Sequence, residues 1–197
     1  MTDRLLPQTN KNVLDIIRAA NDDKQTLEII GAGSKCDWGR PVNSTALLDL
    51  TNLAGIALYE PAELVLSAAA GTSMMEIQQA LAEENQQLAF EPPDFSSLYG
   101  GNNSGTLGGT IAANLSGSKR LQAGAARDHF LGFEAVSGRG EEFKSGGRVV
   151  KNVTGFDLSK LLAGSFGTLA AMTTVTVKVL PKPDKTRTVL LYGQDDQ

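Results

Sequence analysis

The sequence predicts an α+β domain built as two lobes. Two segments carry apolar residues at helical spacing, and short β-branched runs alternate with turn signals. Glycine is gathered into clusters at 31–39, 100–109, 117–132, 138–147 and 164–167. The 21 glycines in 197 residues exceed the usual share of roughly 7%. Clustered glycine in a folded chain marks tight turns or backbone brought close to a ligand.

The elements follow in order. Residues 10–22, "NKNVLDIIRAAND", place Val13, Leu14, Ile16, Ile17 and Ala20 on one helical face, with Asn10 or Asn12 as the cap. "TLEII" (26–30) and "TALLDL" (45–50) read as strands. Residues 55–71 form a strand pair, split by Pro61. "TSMMEIQQALAEEN" (72–85) is an amphipathic helix capped by Thr72, with Met75, Ile77 or Gln78, Leu81 and Ala82 facing inward. A Gly/Pro/Ser/Asn-rich loop follows, and then "TLGGTIAANLSGS". Strands at 130–137 and 141–145 flank a glycine turn, and "FDLSKLLAG" is a short helix. "TLAAMTTVTVKVLP" (168–181) is a long strand closed by proline, and "RTVLLYG" a last one. One lobe covers about 1–85 and the other about 106–183, meeting near 85–107.

Composition narrows the function. With 41% apolar and 20% charged residues, the chain is an ordinary globular one rather than a disordered one. A net charge of −4 with scattered lysine and arginine argues against a nucleic-acid partner, which needs a basic face. Cys36 is the single cysteine, so no intrachain disulfide forms and a reducing compartment fits. The first residues lack the apolar core of a signal peptide, and no apolar run has the roughly 20 residues that span a bilayer. The expected location is the cytoplasm, with peripheral attachment through partners left open. One histidine and one cysteine cannot supply a zinc site, so no metal is expected.

The stretch "LEIIGAGSKCDWGRP" (27–41) looks built for a phosphate. A dinucleotide-binding turn of the Rossmann kind has a strand before the glycines and an acid about 20 residues on, where Asp49 stands. That turn must open into a helix, and Gly39 and Pro41 leave no room for one. No G-x-x-x-x-G-K-[ST] occurs either. A strand-end turn or an anion nest of backbone N–H groups remains. The second cluster, "GTLGGTIAANLSG" (105–117), offers Gly108 and Gly109 for close backbone approach, room at Ala112 and Ala113, and polar groups on Thr110 and Asn114. It reads as a packed helix start or as the second wall of a long cofactor site.

The blocks "GAGSK", "AAAGTSMMEIQQAL", "TLGGTIAANLSG", "RDHFLGFEAVSGRGEEFKSGGRVVKN" and "GSFGTLAAMTTVTVKVLP" stand in the order of the PCMH-type FAD-binding domain. This is the fold of vanillyl-alcohol oxidases, D-lactate dehydrogenases and MurB-like reductases. The likeness covers roughly residues 10–183, and "GGRVVKNVTGFDLSKLLAGSFGTLAAMT" closely resembles the FAD-binding subunit of glycolate oxidase. The resemblance implies a domain over 1–183, with FAD between the lobes and 184–197 beginning a substrate domain.

It further implies that Gly31, Ala32, Gly33, Ser34 and Lys35 wrap the pyrophosphate. Thr106, Gly108, Gly109, Thr110, Ala112, Ala113, Asn114 and Gly117 would line the other side, with Pro92 and Pro93 near the flavin. Ala171 or Met172 would meet the cofactor through its backbone. Ser34 stands where relatives with covalent flavin carry histidine, so the FAD is expected to be non-covalent.

The implied reaction is oxidation of a 2-hydroxy acid (glycolate or D-lactate) to the 2-oxo acid, with electrons passed on from FAD. The implied partners are a second flavoprotein subunit and an iron–sulfur subunit. A structural FAD-binding subunit without its own turnover and a flavin reductase using NAD(P)H are the alternatives. No catalytic residue is assigned, because no base poised beside a substrate α-carbon is visible. His129 and Cys36 read as structural. Lys151, Asn152 and Asp157 organise the loop near the flavin or cap a helix, and Trp38 supports the glycine loop or covers the cofactor.

Overall fold

The computed structural model describes residues 3–96, 104–147 and 155–193. The chain opens with β1 (Asp3–Leu5), α1 (Asn10–Asp22), β2 (Leu27–Ile30) and β3 (Ala46–Asp49). These strands form a parallel sheet in the order β1-β3-β2, and α1 crosses over between β1 and β2. Thr9, not Asn10 or Asn12, caps α1, its side chain accepting from the amide of Asn12. Val13, Ile17 and Ala20 are the buried face. Asp49 is fully buried: its carboxylate accepts from Arg4 of β1 and from Thr51. The acid that mimics a ribose-binding residue therefore ties β3 to β1.

Next come β4 (Ile56–Glu60), β5 (Val65–Ala69), α2 (Met74–Glu83) and β6 (Gln86–Gln87). The helix is present, but its cap and two of its inward positions differ from those expected. Ser73 is its cap, accepting from the amide of Glu76. Met74, Ile77 and Leu81 face inward, while Met75 is 69% exposed and Ala82 is exposed. Thr72 is absorbed by the preceding turn, where its hydroxyl bonds the carbonyl of Ala69. With Thr72 held there, the cap falls to Ser73; Ile77 and Leu81 are inward as expected, while Met74 takes the place expected of Met75.

The remainder holds α3 (Leu107–Ala112), α4 (Arg120–Ala123), α5 (Ala126–His129), β7 (Phe130–Ser137), β8 (Glu142–Gly146), α6 (Leu158–Leu162), β9 (Ala170–Lys178) and β10 (Leu180–Pro181). A five-stranded antiparallel sheet runs β4-β5-β9-β7-β8, and β10 pairs with β6. β4 and β5 thus share a sheet with β7 to β9, so strand pairing cuts across a division near residue 85. Residues 182–193, with "RTVLLYG" among them, form no strand and are exposed. Strand propensity alone does not make a strand, and this segment pairs with none of the described strands.

The large sheet has a core on each face. One packs its strands against α2, α3 and α6 through Leu66, Ile77, Leu107, Ile111, Leu162, Val175 and Val177. The other packs α1 and the small sheet through Val13, Ile17, Leu48, Leu50, Val136 and Ala171. Alternation along β9 explains the split, since Ala170 and Met172 join the first core and Ala171 the second.

Candidate functional site

β2 ends at Ile30, and residues 31–45 run to β3 without a helix. Gly31 touches the second glycine cluster directly: a Cβ there would lie 2.3 Å from Oγ1 of Thr106. The Thr106 hydroxyl caps α3 by accepting from the amide of Gly109 at 3.2 Å. The start of α3 is itself fixed by the turn after β5. Leu107 donates to the carbonyl of Thr72, Gly108 to that of Ala70, and Met74 to that of Gly105. Gly108 is packed so closely on Ala70 that a Cβ would meet it at 2.7 Å.

Between these walls lies a cleft of about 320 Å³. The small sheet contributes Leu27 to Cys36, Trp38, Val42 and Leu50. The large sheet and its helices contribute Ala70, Thr106, Gly108, Gly109, Ala112, Ala113, Phe166, Gly167, Thr168, Ala170 and Met172. Of the residues expected at the site, Gly31, Ala32, Gly33, Ser34, Lys35, Thr106, Gly108, Gly109, Ala112 and Ala113 come together here.

Others stand outside the lining. Thr110 is buried on the core side of α3. The side-chain oxygen of Asn114 accepts from the amide of Arg127. Gly117 packs on Glu91, its amide donating to the carbonyl of Phe90. Ala171 points into the core shared with α1. Pro92 and Pro93 are half-buried in a segment whose Phe95 ring lies 5.4 Å from that of Trp38, against the outer limb of the glycine loop. Lys151 and Asn152 lie outside the described residues, while Asp157 caps α6 by accepting from the amide of Lys160. His129 is buried away from the cleft, its Nε2 bonded to the carbonyl of Ala123 and its ring against Phe90.

The electrostatics of the loop suit an anion. Gly33 takes a left-handed φ of 74°. Among the described residues, the amides of Ala32, Gly33, Ser34 and Lys35 meet no main-chain acceptor, and free successive amides are the donors that an anion-binding nest uses. The ammonium of Lys35 donates to the Ser34 hydroxyl at 3.0 Å and reaches toward Gly105. Burial pushes this ammonium below its usual lysine range, opposed by the nearby Asp94 carboxylate. Asp94 is itself held low, first by hydrogen bonds from Ser96 and then by Lys35. Burial and the charges of Glu28 and Asp37 push the Cys36 thiol up, so it stays protonated at neutral pH. The lining beyond this polar centre is mostly apolar. A nest with a lysine, continued by apolar walls, fits a diphosphate that carries flat rings at its ends.

Residues 4–146 match the FAD binding domain family. The chain belongs to that family. It is 40% identical over 171 residues to the glycolate oxidase subunit GlcE of Escherichia coli K12, matching 87% of this chain and 47% of that protein. It is 28% identical over 194 residues to the glycolate oxidase subunit GlcD of Bacillus subtilis 168, matching 98% of this chain and 40% of that one. The chain spans less than half the length of these relatives. Among solved structures, an alkyldihydroxyacetonephosphate synthase superposes with a TM-score of 0.75 at 20% identity, covering 92% of this chain and 32% of that one. The fold is the mixed helix-and-sheet, PCMH-type FAD-binding fold, and FAD is the cofactor of the family.

The cleft adds residues that sequence reasoning missed: Phe166, Gly167, Thr168 and Ala170, on the approach to β9 and its first residue. The glycine cluster at 164–167 was the signal. Its meaning appears only when Gly167 meets Ile29 of β2, where a Cβ would sit 3.3 Å from the isoleucine Cβ.

Proposed function

We propose that this chain is the FAD-binding part of a glycolate-oxidase-type flavoprotein that oxidises a 2-hydroxy acid such as glycolate or D-lactate to the 2-oxo acid. The observation that carries this reading is the nest at 32–35 facing the capped start of α3 across one cleft, in a chain of the FAD-binding family. Gly31, Ala32, Gly33, Ser34 and Lys35 hold the pyrophosphate through amides, the Ser34 hydroxyl and the Lys35 ammonium. Thr106, Gly108, Gly109, Ala112 and Ala113 form the facing wall, and the cofactor lies between a lobe built on the small sheet and one built on the large sheet. Pro92 and Pro93 enter on the flavin side. Bound there, FAD supplies the two-electron acceptor for the substrate's α-carbon hydrogen. The residues of this chain bind and orient it and exclude water from its phosphates. Ser34 at the histidine position of covalent relatives leaves the cofactor dissociable.

The names of the relatives, both subunits, support an assembly with a second flavoprotein subunit. An iron–sulfur subunit is the acceptor expected for its electrons. Among the described residues no helix is long and apolar enough to cross a membrane. Composition favours a cytoplasmic protein, held at the membrane's inner face through those partners.

The test is the visible spectrum of the purified chain with and without added FAD, followed by anaerobic addition of glycolate or D-lactate. Flavin absorbance that appears with FAD and bleaches with the hydroxy acid, alone or once partner subunits are present, is the expected result. No retained flavin after saturation with FAD sinks the cofactor assignment. Bleaching by NADH or NADPH alone sinks the 2-hydroxy-acid assignment.

A further inference from the structure

Phe166 is 53% exposed and is one of the residues that line the cleft. Its φ of 52° puts a bulky residue in the left-handed region, where the Cβ is strained and glycine is the usual occupant. The backbone on either side is pinned. The amide of Phe166 donates to the carbonyl of Ala112 at 2.9 Å, and that of Gly164 to Ile111 at 3.3 Å. Gly167, also left-handed, lies against Ile29. The backbone at Phe166 is therefore pinned in a conformation that gains nothing from having phenylalanine there. Such strain around an exposed aromatic in a cleft is a sign of recognition rather than of folding.

Resting on the FAD reading above, we propose that Phe166 stacks on the adenine ring of the dinucleotide. The nest at 32–35 meets the first residues of α3, and Phe166 is bonded to its last. A helix of six residues spans about 9 Å, so Phe166 stands one nucleoside away from the phosphates. Ile29 and Gly167 close the same end of the cleft with apolar and flat surface. The loop at 92–96, with Phe95 on Trp38, flanks the glycine loop elsewhere and leaves the flavin the other end. A planar base between an aromatic face and a glycine-floored wall is held by stacking, a contact that needs no donor or acceptor match.

Trp38 lines the cleft and is the only tryptophan, so its fluorescence reports occupancy. The experiment titrates the chain and its Phe166→Leu, Phe166→Tyr and Phe166→Gly variants with FAD, ADP and FMN, and records each melting curve without ligand. Phe166→Leu is expected to weaken FAD and ADP about tenfold and leave FMN unchanged, with Phe166→Tyr close to the parent. Phe166→Gly is expected to melt higher by about 2 °C while binding FAD and ADP more weakly, since strain is relieved as the contact is lost. Equal binding of all ligands by Phe166→Leu overturns the proposal, as does a loss confined to FMN, which would assign the ring to the flavin. A parent chain that binds neither FAD nor ADP overturns the FAD reading, and this proposal falls with it.

Discussion

Lys35 sits where a charge is costly. Its ammonium is partly buried among glycines, and burial lowers its proton affinity more than Asp94 restores it. Below its folded-state value the lysine is charged in both the folded and unfolded chain, and the folded chain bears the desolvation. As pH rises through that value toward the ordinary lysine range, the unfolded chain binds more protons and stability without ligand increases. Under the proposed FAD reading, a diphosphate bound at Lys35 would reverse the sense by holding the proton on. FAD affinity is therefore expected to fall as the solution is made alkaline through the lowered Lys35 value. Lys35→Met is expected to bind about tenfold more weakly at neutral pH and to lose this alkaline dependence. Titrations of FAD against both proteins across the alkaline range check both statements; a parallel pH profile in the variant would remove Lys35 from the phosphate site.

At the scale of elements, the site depends on one contact between β2's following loop and the cap of α3. Gly31→Ala drives a methyl into the Thr106 side chain, which cannot swing away without abandoning the amide of Gly109. The expected cost is about 1–2 kcal/mol, that of losing a helix cap. Thr106→Ala removes the same cap but also opens the space. The double variant should then be less destabilised than the sum of the singles, a coupling readable by urea unfolding. Strict additivity would mean that the loop and α3 do not touch. Gly39→Ala meets open space and bears only the left-handed backbone cost, about 1 kcal/mol, with FAD affinity unchanged.

At the scale of the molecule, the cleft exists because two cores share one sheet. Phe90 is fully buried in the larger core, touching His129 and leading directly into the segment of Pro92 and Pro93. Phe90→Ala is expected to cost about 3–5 kcal/mol and lower the melting temperature by roughly 10 °C. FAD should recover part of that loss through binding linkage. Thermal melts with and without FAD test this, and an unchanged melting temperature would place Phe90 outside the cooperative core.

The local grammar was written in the sequence alone. The apolar stripe at 13, 17 and 20, the strands at 27–30 and 46–49, the hairpin ending near 146 and the long strand before Pro181 were all legible, because their period is written in neighbouring residues. It also determined that no helix follows Gly33, since Gly39 and Pro41 forbid one. The order of blocks assigned the cofactor. What it read less well were choices settled by competition, as when Thr72 went to a turn and Ser73 inherited the cap. The apolar segment at 188–192 has strand propensity but pairs with none of the described strands, and an unpaired strand leaves its backbone to water. Which residues the glycines meet was set by long-range packing. Gly31 meets Thr106, and Gly167 meets Ile29, through strand pairing and crossover between segments far apart in the chain. Those contacts made the glycine loop one wall of a cleft and brought Phe166 to its lining, since periodicity fixes a residue's face while long-range sheet order fixes what that face meets.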